Sequence, residues 1–392
     1  MNEDGGSHGL LLVTIGLLLA LHNSNRFGIA GIFGPLRVRF RGTYAAIGNL
    51  FSAYPLAYAC SQIPVGYLAD RLDPRRLILV GTSLATVTGS VFAVTPIYGL
   101  AFACRLLAGL SGALIYTPAM TFGIGVFPAA KRGMAIGAAY TGVGIGTATS
   151  LAVLPVLAAH FGLTTALLGV AGFAATMTVL APVGMAIPRP VGPKVRPSVG
   201  GLLRQRAFLY LLGFNFLGLF GTYALLTWLP SYLSDALGVP GTRAGALAAL
   251  VNITMTVSSP LVGKLSDVVP RRRVLLYGAL LSLGAFTVLA TTHSVPLVLV
   301  ASIIAGTASA MNTAPLMVFA GERFGRGTAG LAVGMVNAIG QTGSSLSGVV
   351  FGPLLDFTKS FAVIWWTCLP IAAVRLLLLR AVSDTPVSPQ PH

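Results

Sequence analysis

The sequence predicts an all-α membrane protein, with twelve transmembrane helices in two pseudo-symmetric six-helix bundles. Three observations predict it. Of 392 residues, 55% are hydrophobic and 9% charged, and mean hydropathy is +0.84, whereas a soluble domain carries roughly 25% charged residues. The 48 glycines and 24 prolines lie among apolar runs, as membrane helices tolerate. One span with a short loop takes about 30 residues, so this length holds roughly twelve. Finally, GYLADRLDPRR (Gly66 to Arg76) returns as GKLSDVVPRRR (Gly263 to Arg273), an offset of 197 that also carries Pro118 onto Pro315. A repeat of about half the chain marks a duplicated unit.

The expected spans follow in order. The first, 9–36, runs far past the length of a cleavable signal peptide. Span 44–68 ends at the charged Asp70 segment, and 77–95 begins beyond Arg75 and Arg76. Spans 98–126, 134–158 and 164–187 complete the first bundle, 1–187. PRPVGPKVRPSVGGLLRQR (188–206) is basic and rich in Pro and Gly, as a cytoplasmic linker should be. The second bundle, 207–392, holds 207–236, 244–265, 274–292, 296–320, 328–354 and 361–380.

The net charge of +16 raises the possibility of nucleic-acid binding. The basic residues sit instead in short loops on alternate sides, which excludes it. With the N-terminus inside, most Lys and Arg fall on the cytoplasmic side, as the positive-inside rule requires. Both termini are then cytoplasmic. Arg37, Arg39 and Arg41 are the exception, an outer cluster that either anchors lipid headgroups or draws anions. Low Lys with high Arg, Ala and Gly points to a GC-rich bacterial source, hence a bacterial inner membrane. Cys60, Cys104 and Cys368 lie in apolar segments without metal spacing, and read as small core residues. No metal or cofactor is expected. No phosphate-cradling loop, HExxH or GxSxG is present, which argues against an ATP-driven pump and a membrane hydrolase; the chain is not expected to be an enzyme.

The Asp70 segment and its copy at Asp267 resemble the loop signature of the major facilitator superfamily, and the likeness extends over essentially the whole chain. The family's glycine three residues after the Asp is here Asp73, and Pro270 in the copy. RLLAGLSG (Arg105 to Gly112) resembles the fourth-helix signature. TGVGIGTATS (Thr141 to Ser150) lacks the Gly-Pro pair of drug/proton antiporters. HNSNRFGIAGIFGPL is most similar to the first helix of the organic anion and organophosphate branch. There the resemblance implies that an arginine, here Arg26, binds the anionic group of the substrate. The second arginine of the glycerol-phosphate type is absent from FNFLGLFGTYALLTWLP.

The acids sharpen the reading. All nine (Glu3, Asp4, Asp70, Asp73, Asp235, Asp267, Glu322, Asp356 and Asp384) lie in tails, loops or near helix ends. Arg26 and Arg105 lie in mid-membrane, where an arginine costs roughly 2.5–3.5 kcal/mol on insertion scales. Positive charge without a nearby carboxylate favours an anion and repels a cation. The planar fork of Arg26 suits a carboxylate or similar oxyanion. His22, one turn earlier on the same face, is the candidate proton carrier; Asn25 flanks Arg26. Alternatively Arg26 packs against helix-end carbonyls and His22 donates to a neighbouring helix. Arg105 either contacts substrate or holds its helix in register with the first. Arg375 reads as structural, snorkelling to the inner headgroups.

Tyr54, Tyr58, Tyr116, Tyr140, Tyr223, Trp228, Asn312, Asn337 and Gln341 are candidates for a polar cavity wall, or else interhelical glue. Asp70, Arg71, Arg75 and Arg76, with Asp267, Arg271, Arg272 and Arg273, are candidate gates that hold one conformation closed, or else determinants of topology alone. Gly142 and Gly146, four apart, predict close helix packing. The expected function is a monomeric secondary transporter for a small mono- or dicarboxylate-like anion, working by alternating access with protons or a counter-anion. The alternative is a proton-coupled efflux pump for hydrophobic drugs or metabolites. A substrate sensor that has kept the fold is the third reading.

Overall fold

A computed structural model describes residues 3–126, 129–186, 199–324 and 329–382. The side chains of Asp70, Arg71, Tyr140 and Asp267 lie outside the described residues, as does most of the linker 188–206. Every described element is a helix or a turn.

The first apolar run is not one helix. It divides into α1 (Glu3–Phe27), a 3₁₀ turn (Gly28–Ile32) and α2 (Phe33–Phe40). The turn is held where α6 (Ala129–Phe161) comes close: a Cβ on Gly31 would lie 3.1 Å from Pro155 and 3.3 Å from the Leu151 carbonyl. α2 ends at Arg41, whose left-handed backbone (φ 47°) lets its N–H reach back to the Arg37 and Val38 carbonyls. The cluster of Arg37, Arg39 and Arg41 therefore sits on and just past a helix, not in an open loop. Arg37 stacks 3.8 Å above the Tyr44 ring.

Next come α3 (Tyr44–Arg71), α4 (Pro74–Val94), α5 (Tyr98–Val126), α6 and α7 (Leu163–Gly184). Thr43 caps α3 by accepting from the Ala46 N–H. Asp73 caps α4, with its carboxylate accepting from the Arg75 N–H at 3.0 Å and Pro74 in the first turn. Asp and Pro favour those positions because the first N–H groups of a helix lack intrahelical partners. Arg39 joins two ends of the bundle, donating to the Ala93 carbonyl at 2.7 Å and to Thr164 at 2.5 Å.

The short α8 (Val199–Leu203) precedes α9 (Arg206–Ser231), which continues as a π-helical turn (Tyr232–Ala236). Then follow α10 (Gly241–Val268), α11 (Arg271–Thr291), α12 (Val295–Arg323), α13 (Ala329–Thr358) and α14 (Ala362–Arg380). Among the described residues, ten helical runs are long and apolar enough to cross a membrane. α3 and α13, 28 and 30 residues long, stand where the sequence predicts the remaining two spans.

The chain divides into two compact units, Met1–Pro193 with Val239–Ala249, and Lys194–Gly238 with Leu250–His392. Each has its own packed interior, around Leu18, Ile115, Phe122 and Met177 in the first, and Phe208, Phe214, Leu275 and Leu316 in the second. Lipid supplies little hydrophobic drive between helices, so close backbone approach matters more. The repeat found in the loops recurs at these crossings. A Cβ on Gly109 would collide with the Tyr54 carbonyl, and one on Gly306 with the Val251 carbonyl. Gly146 lies equally close to the Ala20 carbonyl, and Gly343 to the Phe216 carbonyl. Gly142 sits against the Gly16 carbonyl, so the predicted close packing joins α6 to α1. Glycines one offset of 197 apart thus occupy equivalent crossings in the two units.

Candidate functional site

The break in α1 organises the first unit. The carbonyls of its last turn are left without intrahelical partners. Arg105, from α5, supplies donors. Its Nη1 donates to the Asn25 carbonyl at 2.7 Å, its Nη2 to the Arg26 carbonyl at 3.4 Å and its Nε to the Leu50 carbonyl at 3.2 Å. A cation at a helix C-terminus also faces the negative end of the helix dipole. Arg105 therefore ties α1, α3 and α5 together. Its guanidinium carbon lies 4.9 Å from the Tyr54 ring centre.

One turn before the break, His22 and Arg26 share a face of α1, and both are buried, at 3% and 2% exposure. The Tyr54 hydroxyl donates to the His22 carbonyl at 3.1 Å and lies 3.0 Å from His22 Nδ1. A hydroxyl has one proton, so when it goes to the carbonyl, Nδ1–H donates to Tyr54 and Nε2 carries the lone pair. The His22 ring lies 4.8 Å from Tyr58 and 5.4 Å from Tyr116, centre to centre. Tyr58 and Tyr116 meet edge to face at 6.1 Å. The Arg26 guanidinium carbon is 5.8 Å from the Tyr58 ring centre and 5.5 Å from that of Phe27, within reach of cation–π attraction. Gly112 makes the room: a Cβ there would lie 2.8 Å from His22 Nδ1 and collide with the Tyr54 hydroxyl.

The structure thus brings together His22, Arg26, Tyr54, Tyr58 and Tyr116, with Arg105 behind them. Asn25 points elsewhere, lining a cleft with Thr88, Phe92 and Leu167 of α4 and α7. Gln62 is an addition that the sequence reading missed. It lies one turn beyond Tyr58 on α3, its Oε1 accepts from Thr117 at 2.8 Å, and its Nε2 is buried without a partner among the described residues. The spacing of four through Tyr54, Tyr58 and Gln62 was the available signal.

The cluster breaks the internal symmetry. The offset that pairs the crossing glycines puts Leu219, Tyr223, Val251, Met255 and Thr313 where the first unit has His22, Arg26, Tyr54, Tyr58 and Tyr116.

The remaining candidates belong to the second unit. Trp228 is fully buried and donates to the Ser347 carbonyl at 3.4 Å, joining α9 to α13. Asn312 lies at the crossing of α12 with α11, 2.8 Å from where a Gly278 Cβ would stand. Asn337, Gln341 and Tyr223 are half-buried. Asn215, not singled out before, donates to the Val336 carbonyl at 2.7 Å. Among the charged-loop residues, Arg76 and Arg273 are exposed. Arg75 lies 5.6 Å from the Phe122 ring centre. Arg271 pairs with Glu322 at 2.5 Å, and Arg272 donates to the Leu379 and Arg380 carbonyls. These described contacts lie within one unit. Arg375 does not snorkel to the headgroups. It is 4% exposed and turned into the bundle.

The sequence profile of the Major Facilitator Superfamily matches residues 15–240 and 211–392. The chain is 28% identical to a probable nitrate/nitrite transporter, NarK2 of Mycobacterium tuberculosis, over 83% of its own length and 85% of that protein. It is also 28% identical to a probable sulfoacetate transporter, SauU of Cupriavidus necator, over 81% and 80% of the two chains. A shorter match, 30% identical, spans only 22% of Rv1250, an uncharacterized transporter of Mycobacterium tuberculosis. Among solved structures, the nucleoside transporter NupG superposes with a TM-score of 0.79 at 15% identity, covering 95% of this chain and 99% of that one.

Proposed function

The chain belongs to the Major Facilitator Superfamily and is a multi-pass membrane transporter, and from that premise we propose that it carries a small anion by alternating access. The observation that carries this reading is the buried guanidinium of Arg26, walled by Tyr58, Phe27 and the His22–Tyr54 pair. No carboxylate in the sequence falls in mid-membrane to neutralise it. Arg26 binds the carboxylate or comparable oxyanion through its planar fork. The tyrosines orient the rest of a small ligand. Two relatives named above for nitrate/nitrite and sulfoacetate, both anions, support this choice.

Transport is coupled either to a proton held on His22 or to exchange for a counter-anion. The protein works as a monomer, with halves 1–187 and 207–392 joined by 188–206. Asp70, Arg71, Arg75, Arg76 and Asp267, Arg271, Arg272, Arg273 act as gates between conformations. The distribution of Lys and Arg supports cytoplasmic termini, and the low Lys with high Arg, Ala and Gly supports a bacterial inner membrane.

The test is a thermal-shift panel of carboxylates, sulfonates, nitrate, phosphates and hydrophobic cations on purified wild type and Arg26→Ala. An anion that stabilises the wild type and not the variant supports the reading. Stabilisation by hydrophobic cations alone, equal in both proteins, sinks it and moves the reading to drug efflux.

A further inference from the structure

The second unit contains a buried cationic pocket that the reading of Arg26 does not use. It is lined by Gly218 and Thr222 of α9, Ser282 of α11, Ser309 of α12 and Arg375 of α14. Gly218 and Ser282 lie near the midpoints of their helices, so the pocket is deep in the bundle. Arg375 Nε donates to the Phe214 carbonyl at 3.3 Å, and its guanidinium carbon is 4.5 Å from the Phe214 ring centre. Neither Nη atom has a hydrogen-bond partner among the described residues.

Gly218 is the seat for that guanidinium. A Cβ there would stand 2.8 Å from Nη2 and 3.0 Å from Cζ. Three hydroxyls complete the wall. Ser282 donates to the Gly278 carbonyl at 2.9 Å and Ser309 to the Ala305 carbonyl at 2.8 Å, while Thr222 lies 3.2 Å from Ser309. Each hydroxyl can rotate toward a ligand. The acids of this half (Asp235, Asp267, Glu322, Asp356 and Asp384) lie in the tail, in loops or near helix ends.

The repeat supplies an internal comparison. The offset of 197 carries Ser24, Asn25 and Ala108, which line the cleft of the first unit, onto Gly221, Thr222 and Ala305 of this pocket. The two cavities are therefore equivalent places in the two halves. Each holds one arginine, but from non-equivalent helices. Arg105 has all three of its nitrogens engaged with carbonyls, whereas Arg375 has its outer nitrogens open to the cavity. The first arginine is a clamp, and the second is a donor pair without an acceptor. A buried, unneutralised guanidinium with spare donors calls for a compact negative partner.

We propose that the pocket at Arg375, Gly218, Thr222 and Ser309 is a second anion site, taking a small inorganic monovalent anion of halide class. It is distinct from the site at Arg26 and neutralises the core of the second half. Bromide is the probe, titrated into purified full-length protein in chloride-free gluconate buffer, with the thermal midpoint as readout. Wild type and Arg26→Ala are expected to show a saturable rise. Arg375→Gln is expected to lose it, and Gly218→Ala to bind bromide at least tenfold more weakly. Gly218→Ala crowds only the guanidinium of Arg375 and no backbone atom, so it tests the site even if Arg375→Gln does not fold. A bromide response unchanged in Gly218→Ala, or absent in wild type, overturns the proposal. A response lost in Arg26→Ala and kept in Gly218→Ala also overturns it, and leaves the reading of Arg26 standing.

Discussion

At the scale of residues, the first bundle buries Arg26, Arg105 and His22, and each is held differently. Arg26 offers two parallel donors, and hydrogen bonds to a charged group are each worth about 1.5–3 kcal/mol. Losing one such bond is about a 10- to 100-fold change in Kd. Arg26→Lys keeps the charge but not the fork, so it is expected to bind the substrate anion at least tenfold more weakly, read by titration. Tyr54→Phe removes the hydroxyl that positions His22. It is expected to leave the fold intact at a cost of about 1 kcal/mol and to alter the pH profile of transport. An unchanged profile would remove His22 as proton carrier. The sequence alone singled out His22, Arg26, Tyr54, Tyr58 and Tyr116, because rare polar types in apolar runs stand out. Gln62 and Gly112 escaped. A helix-interior amide and a glycine among glycines are ordinary until their partners across the helix pair are known.

Helices were legible as elements, and their interruptions were not. The boundaries of α3 and α4 could be read from charges and caps, because Thr43 and Asp73 follow the local chemistry of helix starts. The break after Phe27 could not, since its cause lies across the bundle, at Leu151 and Pro155 of α6. The same break explains Arg105, which supplies donors to two carbonyls of α1 and one of α3. Arg105→Gln should therefore lower the thermal midpoint, by the equivalent of about 3 kcal/mol. If Arg105 instead touched substrate without bracing helices, the midpoint would hold and only binding would fall. Arg375 was misread for a related reason. Its place near the C-terminal end of α14 invites snorkelling, and only the facing Gly218 of α9 makes the buried position available.

Taken as a whole, the molecule is one half written twice, then specialised. Gly146 with Ala20 and Gly343 with Phe216 are the same crossing in two copies. Gly146→Leu and Gly343→Leu are accordingly expected to destabilise alike, by about 2 kcal/mol or more, seen as matching falls in midpoint. The His22–Arg26–tyrosine cluster has no copy. Function is assigned to the part of the molecule that departs from its own repeat.

Flux through the membrane tests this claim most directly. In proteoliposomes, uptake of the stabilising anion would be followed with wild type and Arg26→Ala, under a pH gradient or with counter-anion inside. The account predicts saturable uptake by wild type, driven by one of the two, and none above empty liposomes for Arg26→Ala. Full uptake by Arg26→Ala would contradict it.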